Sequence, residues 1–425
     1  MPYRKTGPNS EGEGMGLLLD DLVMRPVTAS EIPMFAVQVE RTFGGSRLSD
    51  AEIRNRRGVL EPHRTLAVFD RDELVATLAV HGLTMSVPGG EVAVGGVNHV
   101  SVRADFRRRG LMTTMMTAAL SDIQERGEAV SALWPSEAAI YGRFGYGLAS
   151  RHARLVIDGQ PAACAPSPGE IRLVPDATAA DAALLDRIYR SWYAVRPGAI
   201  ARSAELWRQR LAPREDPRGD TDVVCLLHRD GEEVDGYALY MARPDWSQGL
   251  LPKGTTVVME VCAQTARALA ALWNHLLSVD MMAKTVAPMI PADDPGIWTL
   301  RDSRRWQTEL TDNLWIRLLD VPAALRARTY ARDVDVVLDV QDDIFRDNAR
   351  RYRLSGDATG ASCDPTTAPA DLRVTAAQLG ASYLGGTSLA SFALTEGLEE
   401  TRRGALHEAA IAFSAPLAPC CIDPF

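Results

Sequence analysis

The chain has 425 residues, too many for one ordinary domain, and predicts two or three domains. Hydrophobic residues make up 46% and charged residues 24% of it, which is typical of globular proteins and excludes a disordered chain. The formal net charge of -9 argues against a nucleic-acid-binding protein and is compatible with a cationic substrate.

The N-terminus and the cysteines predict where the protein resides. No apolar run approaches the roughly 20 residues that cross a bilayer, so we expect no membrane association. Residues 1–16 are polar and lack the apolar stretch of a signal peptide. We therefore expect residues 1–21 to form a disordered tail and the protein to be cytoplasmic, with export without a signal peptide left open. The six cysteines, at positions 164, 225, 262, 363, 420 and 421, fit no zinc spacing and predict reduced thiols and no metal site.

The first predicted domain, residues 22–157, alternates strands and helices. Apolar residues at helical spacing predict the helices, and apolar runs bounded by turn residues predict the strands. Gly127 is placed to end the longest helix. The elements expected in chain order are strand Leu22–Pro26, helix Ser30–Phe43, strands Leu66–Phe69, Leu74–Val87 and Glu91–Val102, helix Gly110–Arg126, strand Val130–Trp134, helix Ser136–Tyr141 and at least one strand within Phe144–Ile157.

A second α/β domain is predicted over residues 170–301, after a Pro-, Ala- and Gly-rich linker at Asp158–Gly169. It repeats the order of elements of the first domain. At Glu260–Thr265, however, it has no glycine and no arginine cluster, so we expect no diphosphate site there. Its predicted elements are strand Ile171–Val174, helices Thr178–Val195 and Ser203–Leu211, strands Val223–His228, Tyr237–Ala242 and Thr256–Val261, and a helix from Thr265 to Asp280.

Residues 302–425 form a third predicted domain. Apolar residues alternate with aspartate over Val334–Val340, as in a half-buried strand. Prolines 416, 419 and 424 hold the last residues extended, so this apolar tail is able to enter a crevice. The other predicted elements are a strand beginning at Trp315, helix Ala323–Thr329, strands Arg351–Leu354 and Leu372–Thr375, and helical segments at Leu379–Gly380, Leu389–Ala393 and His407–Phe413.

The most informative motif is His99–Met112, in which a strand runs into a basic, glycine-containing turn and then into a helix. Gly110 lets the backbone approach a phosphate, and the helix that begins there directs N–H groups at it. Arg108 and Arg109 add fixed positive charge. Because the turn follows an apolar strand, it predicts a diphosphate site and not merely an exposed helix start. The strand edge Val100–Val102 can pair with the amides of an extended ligand.

A second motif surrounds Tyr141, whose phenol can donate a proton to a leaving group. Taken alone, a tyrosine beside Arg143 and Phe144 is more often a packing residue. Ser136 is expected to cap the short helix before it, and the residues leave open whether Ser136 and Glu137 also contact a ligand.

No histidine or glutamate of the first domain stands out as a general base. His99 lies beside the strand edge and His81 lies in the middle of a strand. A lone histidine in such a position is more often structural. The two motifs therefore predict a diphosphate site and offer Tyr141 as a candidate acid, and they leave the base unassigned.

Together, the turn Arg107–Met112 and the Tyr141 motif resemble the GCN5-related N-acetyltransferase (GNAT) superfamily, and most closely its Eis-type (enhanced intracellular survival) branch of aminoglycoside and protein acetyltransferases. The resemblance extends from Leu22 to Phe425, because the segment Trp315–Thr329 and the terminal phenylalanine also match. It implies tandem GNAT folds of mixed α/β architecture, the second a degenerate copy, followed by a sterol-carrier-protein-like domain.

The resemblance also implies a reaction and its residues. Acetyl-CoA would be the cosubstrate, Tyr141 the general acid, and the terminal carboxylate of Phe425 the general base. A large acidic pocket would accept several amines of one polycationic molecule, and six copies would assemble as a dimer of trimers. The predicted acetyl-CoA-binding residues are Val100, Ser101, Val102, Arg107, Arg108, Arg109, Gly110, Leu111, Met112, Thr113, Ser136 and Glu137.

The chain departs from this pattern at its end. Pro424 is penultimate, where an acid would line the pocket, and Asp423 lies one step earlier. We therefore expect either a less acidic pocket or a re-aimed tail. Two further interpretations stay open: a lipid-binding or scaffold protein whose third domain carries the function, and an acetyltransferase whose natural acceptor is a lysine side chain.

Overall fold

The computed structural model describes residues 17–19, 22–45, 48–159, 169–174, 177–178, 180–212, 222–246, 249 and 251–425. The predicted tail up to residue 16 and the linker residues 160–168 lie outside this range. Three sheets flanked by helices make up the described chain, which confirms the predicted mixed α/β class. None of the described helices is long and apolar enough to cross a membrane.

The first domain begins inside the segment predicted to be a disordered tail, because Leu17–Leu19 pairs antiparallel with the next strand. The predicted strands and long helices of this domain form at their expected places. Its elements are β1 (Leu17–Leu19), β2 (Leu22–Arg25), α1 (Ile32–Phe43), α2 (Asp50–Val59), β3 (Thr65–Asp70), β4 (Glu73–Val87), β5 (Gly90–Val102), α3 (Leu111–Glu125), β6 (Val130–Leu133), α4 (Ala138–Tyr141) and β7 (Gly147–Leu148).

Helix α3 packs on this sheet as its sequence predicts. Met115, Ala119 and Ile123 are buried along one face. Gly110 and Gly127 bracket the helix with φ angles of 83° and 79°, a left-handed conformation that glycine adopts without steric cost.

The second domain contains strands that the sequence analysis did not predict, at Met282–Pro291 and Gln307–Asp312. It follows the first without repeating its basic turn. Its elements are β8 (Arg151–Asp158), β9 (Glu170–Val174), α5 (Ala182–Tyr193), α6 (Ala204–Leu211), β10 (Val224–Asp230), β11 (Glu233–Arg243), β12 (Gly254–Ala263), α7 (Ala266–Leu277), β13 (Met282–Pro291) and β14 (Gln307–Asp312). The next strand in the chain, β15 (Trp315–Leu318), returns to the sheet of the first domain.

Two strands lie in sheets other than those of their predicted domains. β8 was placed in the first domain but pairs with β13 and β14 of the second sheet. β15 was placed in the third domain but inserts between β6 and β7 of the first sheet. The strand orders are β1-β2-β3-β4-β5-β6-β15-β7 in the first sheet and β14-β8-β13-β12-β11-β10-β9 in the second. The exchange ties the first two domains together covalently and through backbone hydrogen bonds.

The third domain is built on a five-stranded sheet and packs against β15 and β7 through α9. Its elements are α8 (Val321–Arg326), β16 (Val334–Gln341), β17 (Arg351–Asp357), β18 (Gly360–Pro365), β19 (Leu372–Thr375), α9 (Ala376–Ser382), β20 (Glu399–Glu400) and α10 (Ala405–Ala412), with strand order β18-β17-β16-β19-β20.

Candidate active site

Strands β5 and β6 diverge in the middle of the first sheet. They pair in parallel only from Val94 to Val97 on β5, whereas β5 continues to Val102 and β6 ends at Leu133. Beyond Val97, the side of β5 that faces β6 therefore has no strand partner among the residues that the structure describes. Its free backbone groups can pair with the amides of a ligand that lies along it.

A β-bulge marks the start of this free edge. Ala79 pairs with Asn98 and Thr77 with Ser101, so two residues of β5 oppose one residue of β4. His99 within the bulge has a φ of 55°. The hydroxyl of Thr77 donates to the carbonyl oxygen of His99 at 2.8 Å, which holds the bulge in place.

The basic turn continues from β5 into α3. Arg108 and Gly110 have φ angles of 63° and 83°, and no side chain caps the first turn of α3. The first N–H groups of this 15-residue helix are therefore free to bind an anion. The guanidinium of Arg107 donates through Nε to the carbonyl oxygen of Val102 at 3.2 Å, which folds the turn back on its strand.

A cavity of about 780 Å³, which we call the turn cavity, connects this turn, the free edge of β5 and Tyr141. The structure brings eleven of the twelve predicted acetyl-CoA-binding residues into its wall. They are Val100, Ser101, Val102, Arg107, Arg108, Gly110, Leu111, Met112, Thr113, Ser136 and Glu137. The sequence analysis missed Thr42 and Phe43 of α1, and it gave no role to Arg143, although Arg143 stands within the quoted Tyr141 motif.

Arg109 is the predicted residue that does not line the turn cavity. Its guanidinium lies 4.5 Å from the ring centroid of Phe106 and donates to the carbonyl oxygen of Asp105 at 3.0 Å. Three consecutive arginines cannot all face one side of a turn, and this one packs on the turn itself.

Tyr141 ends α4, and its side chain is buried in the wall of the turn cavity. Burial raises the pKa of Tyr141 above its usual value, while a hydrogen bond between its phenol oxygen and Ser136 acts in the opposite direction. The phenol is therefore protonated at neutral pH. The expectation that Ser136 caps the helix is wrong: α4 begins at Ala138, no side chain caps it, and Ser136 is used by the phenol instead.

A second cavity, of about 630 Å³, lies on the other side of the bulge and contains the chain terminus; we call it the tail cavity. Asn98 and His99 line it, whereas the next residue, Val100, lines the turn cavity. The wall combines α2, β4 and β5 of the first domain with α6 of the second domain and with Pro424 and Phe425. The sequence analysis could not assemble this wall, because its parts come from three domains.

The C-terminal tail runs through a crevice, as predicted. Cys420 and Cys421 are fully buried. The Cys420 amide donates to the carbonyl oxygen of Pro197 at 2.9 Å. The side-chain amide of Asn313 both accepts from the Cys421 amide and donates to its carbonyl oxygen, each at 3.0 Å. These bonds fix the tail before it reaches the cavity.

The ring of Phe425 lies against Gly96 on β5. A Cβ placed on Gly96 would come within 2.8 Å of Cδ2 of Phe425, so only glycine leaves room for the ring. Leu83 lies beside the same glycine. The terminal residue is thus seated on the central strand of the first sheet, three residues before the bulge.

Asp423 does not line the tail cavity. Its carboxylate is buried against Arg202, whose Nε lies 3.0 Å from each of its oxygens. The carboxylates in the cavity wall are instead Glu61 and Glu205. The acidic side chains of this pocket therefore come from α6 and from the residues that follow α2.

The two histidines near the bulge are neutral. Burial, with a contribution from nearby His81, lowers the pKa of His99 to about 3, and burial also lowers the pKa of His81. The ring centroids lie 6.0 Å apart. A histidine with so low a pKa is a weak base, which agrees with the structural role expected for it.

The start of α7 in the second domain, which matches the basic turn, is occupied by the chain's own groups. The hydroxyl of Thr265 accepts from the amide of Ala268 and donates to the carboxylate of Asp235 at 2.6 Å. This helix start therefore has a hydroxyl cap and a carboxylate where the first domain has free N–H groups, consistent with the expected lack of a diphosphate site.

Comparisons with known proteins match all three domains. Two acetyltransferase (GNAT) domain families match residues 23–149 and 198–318, and a sterol carrier protein domain family matches residues 321–422. An uncharacterised N-acetyltransferase of Streptomyces coelicolor is 39% identical over 388 residues, covering 89% of this chain and 94% of the relative.

Named relatives include N-acetyltransferase Eis of Mycobacterium tuberculosis, which is 36% identical over 327 residues, covering 74% of this chain and 76% of the relative. The crystal structure of Eis1 from Mycobacterium abscessus superposes with a TM-score of 0.80 at 30% identity, covering 95% of this chain and all of that chain. These matches confirm the tandem arrangement and the sterol-carrier-like third domain.

Proposed function

The chain belongs to the Eis-type N-acetyltransferases of the GNAT superfamily, and on this premise we propose that it transfers acetyl groups from acetyl-CoA to amines of aminoglycosides. The observation that carries the proposal is the pair of cavities on either side of the β5 bulge. The turn cavity takes the donor and the tail cavity takes the acceptor. Transfer is then direct, within one complex of enzyme, donor and acceptor.

The donor fits the groups that line the turn cavity. Arg107, Arg108 and the free N–H groups at the start of α3 hold its diphosphate. The free edge Val100–Val102 pairs with the amides of its pantetheine arm. When bound, acetyl-CoA supplies the acetyl group as a thioester. This chain's own residues fix the direction of that thioester toward the bulge.

Two groups move protons in the proposed reaction. The terminal carboxylate of Phe425 accepts a proton from the acceptor amine, whose nitrogen forms the new bond to the acetyl carbon. The phenol of Tyr141 donates its proton to the sulfur as the carbon–sulfur bond breaks. Burial keeps that phenol protonated until then. This assignment fills the role of base that His99 and His81 cannot fill.

The acceptor class is proposed from the size of the tail cavity and from its carboxylates, because the arginines that also line it, Arg56 and Arg202, are already paired with acids. Glu61 and Glu205 place carboxylates in a wall that encloses about 630 Å³. This suits a cation carrying several amines, and a multi-ring aminoglycoside matches both features. A lysine side chain of a peptide is the other amine that the cavity admits.

We also propose that six chains assemble as a dimer of trimers. Several large apolar side chains are exposed in the single chain, among them Leu394, which is 99% exposed, and Trp298, which is 81% exposed. An assembly would cover such groups. Light scattering coupled to size exclusion tests this, because a single-chain mass would contradict it.

The activity is tested by incubating the purified protein with radiolabelled acetyl-CoA and either kanamycin or a lysine-rich peptide. We expect label on kanamycin, with more than one acetyl group per molecule by mass spectrometry. Label on the peptide alone would assign the lysine acceptor. No transfer to either, together with binding of acyl chains, would support the lipid-binding alternative.

A further inference from the structure

The core of the second domain contains a buried cluster of charges that reaches the tail. Arg202 bonds the two oxygens of Glu260 through its terminal nitrogens, at 2.9 and 2.6 Å, and Asp423 through Nε. The side chains of Arg202 and Glu260 are 0% and 1% exposed. A charge removed from water so completely needs partners, and this guanidinium has one in each direction.

Glu260 accepts hydrogen bonds from two groups besides Arg202. Arg210 bonds it at 2.7 Å and the hydroxyl of Tyr237 bonds it at 2.8 Å. Burial alone would raise the pKa of Glu260, but Arg202 and Arg210 lower it to about 2. Glu260 is thus a fixed anion that orients Arg202, and the Nε of Arg202 remains for Asp423.

The cluster is rigid around Asp423. The guanidinium carbon of Arg202 lies 3.9 and 4.5 Å from the ring centroids of Tyr189 and Trp207, in the corner formed by these two perpendicular rings. The hydroxyl of Tyr189 lies 2.8 Å from the carbonyl oxygen of Ile200 and 3.1 Å from a carboxylate oxygen of Asp423, so its one proton is shared between these two acceptors. These ring contacts hold Arg202 in place, and its bonds restrict the Asp423 carboxylate.

We propose that Arg202 is a positioning residue for acetyl transfer, which holds Asp423 so that the terminal carboxylate of Phe425 is fixed in the tail cavity. The inference rests on the proposed role of Phe425. The terminal residue is two positions beyond Asp423, a reach of roughly 7 Å. Pro424 between them fixes its own φ and restricts the residue before it, so little freedom is left.

The cluster around Arg202 is also bonded to the first sheet, whose strand β5 lines the turn cavity. The segment that ends in Arg202 pairs with β4: the amide of Ser86 donates to the carbonyl oxygen of Ala199 at 2.9 Å, and the amide of Ala201 to that of Thr84 at 2.9 Å. The second domain, which lacks a diphosphate turn, thus still contributes to the reaction. It places the base relative to the first sheet.

The test is Asp423→Asn in the full chain with a free C-terminus, assayed with acetyl-CoA and kanamycin. We expect kcat to fall at least about 10-fold, because a displaced catalytic group loses rate steeply. KM for acetyl-CoA is expected to stay within about twofold, because the turn cavity is untouched. Hydrogen exchange of the C-terminal peptide should become faster, and Asp423→Glu should recover part of kcat.

A matched control is Asp293→Asn. Asp293 also bonds the tail, accepting from the amide of Ala418 at 2.8 Å, but lies outside the Arg202 cluster. We expect its kcat within about twofold of wild type. An equal loss in both variants, or an unchanged kcat in Asp423→Asn, would overturn the inference.

Two further measurements separate the possible failures. If Asp423→Asn does not fold, Tyr189→Phe removes the hydroxyl that Asp423 shares with the carbonyl oxygen of Ile200 and should lower kcat with KM for acetyl-CoA unchanged; an unaltered kcat in this variant overturns the inference. A chain extended beyond Phe425 tests the proposed base separately. Full activity of the extended chain would refute the role of Phe425, whereas its inactivity together with a fully active Asp423→Asn would refute only the role of Arg202.

Discussion

His99 and Val100 are consecutive in β5, yet His99 lines the tail cavity and Val100 lines the turn cavity. One bulge therefore separates the side of the sheet that holds Tyr141 from the side that holds Phe425. A donor lying along Val100–Val102 and an acceptor beside Phe425 would meet at this bulge. The proposed acid and base thus approach the reacting atoms from opposite cavities, which favours direct transfer over a covalent acetyl-enzyme.

Tyr141→Phe tests the acid. We expect kcat to fall on the order of 100-fold or more, because the leaving sulfur loses its proton donor, while the affinity for acetyl-CoA is retained. Steady-state kinetics and calorimetric binding of acetyl-CoA measure the two effects.

The matched control for Tyr141→Phe is Tyr146→Phe. Tyr146 lies 6.3 Å from Tyr141 between ring centroids and hydrogen-bonds Ser131 at 2.6 Å. Its loss should lower thermal stability and leave kcat close to wild type. Equal turnover of Tyr141→Phe and the wild-type enzyme would remove Tyr141 from the mechanism.

Extending the chain beyond Phe425 tests the base. We expect a few added residues to abolish nearly all activity without unfolding, because the carboxylate becomes an amide and the added chain must enter the tail cavity. Acetylation of kanamycin and circular dichroism check the two parts. The same tag at the N-terminus serves as control. A fully active extended enzyme would mean that another group is the base.

Arg108→Ala and Arg109→Ala test how the donor is held. Arg108 lines the turn cavity, and its loss should raise KM for acetyl-CoA on the order of 10-fold, the value of one charge-assisted contact. Arg109 packs on Phe106, so its loss should leave KM almost unchanged. Initial rates at varied acetyl-CoA concentration give KM for each variant. An equal rise of KM in both would show that the two arginines act only through their positive charge.

The strand–turn–helix signal was readable in the sequence because its elements are local. Gly110 and the apolar face of α3 each follow from a few neighbouring residues. Helix α2 was missed because its sequence, Asp50–Val59, is polar and contains Gly58, so no apolar stripe marks it. It is held by a capping box at Ser49 and Glu52, a signal that sequence reasoning could have used.

The exchange of β8 and β15 between sheets was beyond sequence reasoning. β8 alternates buried and more exposed residues and β15 is a short, mostly apolar run, and nothing in either pattern indicates which sheet the strand joins. The tail cavity could not be predicted either, because Arg202, Glu205 and Phe425 come together only when the three domains pack. The prolines of the tail predict that it enters a crevice, but nothing in the sequence indicates that Asp423 forms an ion pair with Arg202 there.

A buried ion pair between the first and third domains gives a stability prediction. Arg317 of β15 bonds both oxygens of Asp342, at 2.9 and 2.8 Å, and both side chains are 0% exposed. Asp342→Asn leaves the Arg317 charge unpaired and should lower the free energy of unfolding by about 3 kcal/mol. Urea unfolding measures it. Asp335→Asn, which breaks the exposed pair with Arg353, should have little effect, and similar losses in both would contradict the argument.

Asp294 gives a prediction for the pH dependence of stability. Burial raises the pKa of Asp294 to about 6, so the folded chain holds this proton more tightly than the unfolded chain does. Stability contributed by the protonated acid is therefore lost as pH rises from about 4 to 6, on the order of 3 kcal/mol in all. Asparagine mimics the protonated acid and can still accept from the amide of Gly296, as Asp294 does at 2.8 Å.

We therefore expect Asp294→Asn to raise the melting temperature more at pH 8 than at pH 4.5, measured by differential scanning calorimetry. The matched control is Asp302→Asn, because Asp302 accepts from the amide of Arg304 in the same kind of turn but is exposed. Its effect should be small and alike at both pH values. If the effect of Asp294→Asn on the melting temperature did not change with pH, the pKa of Asp294 would be the same in the folded and unfolded chains, which would contradict the argument.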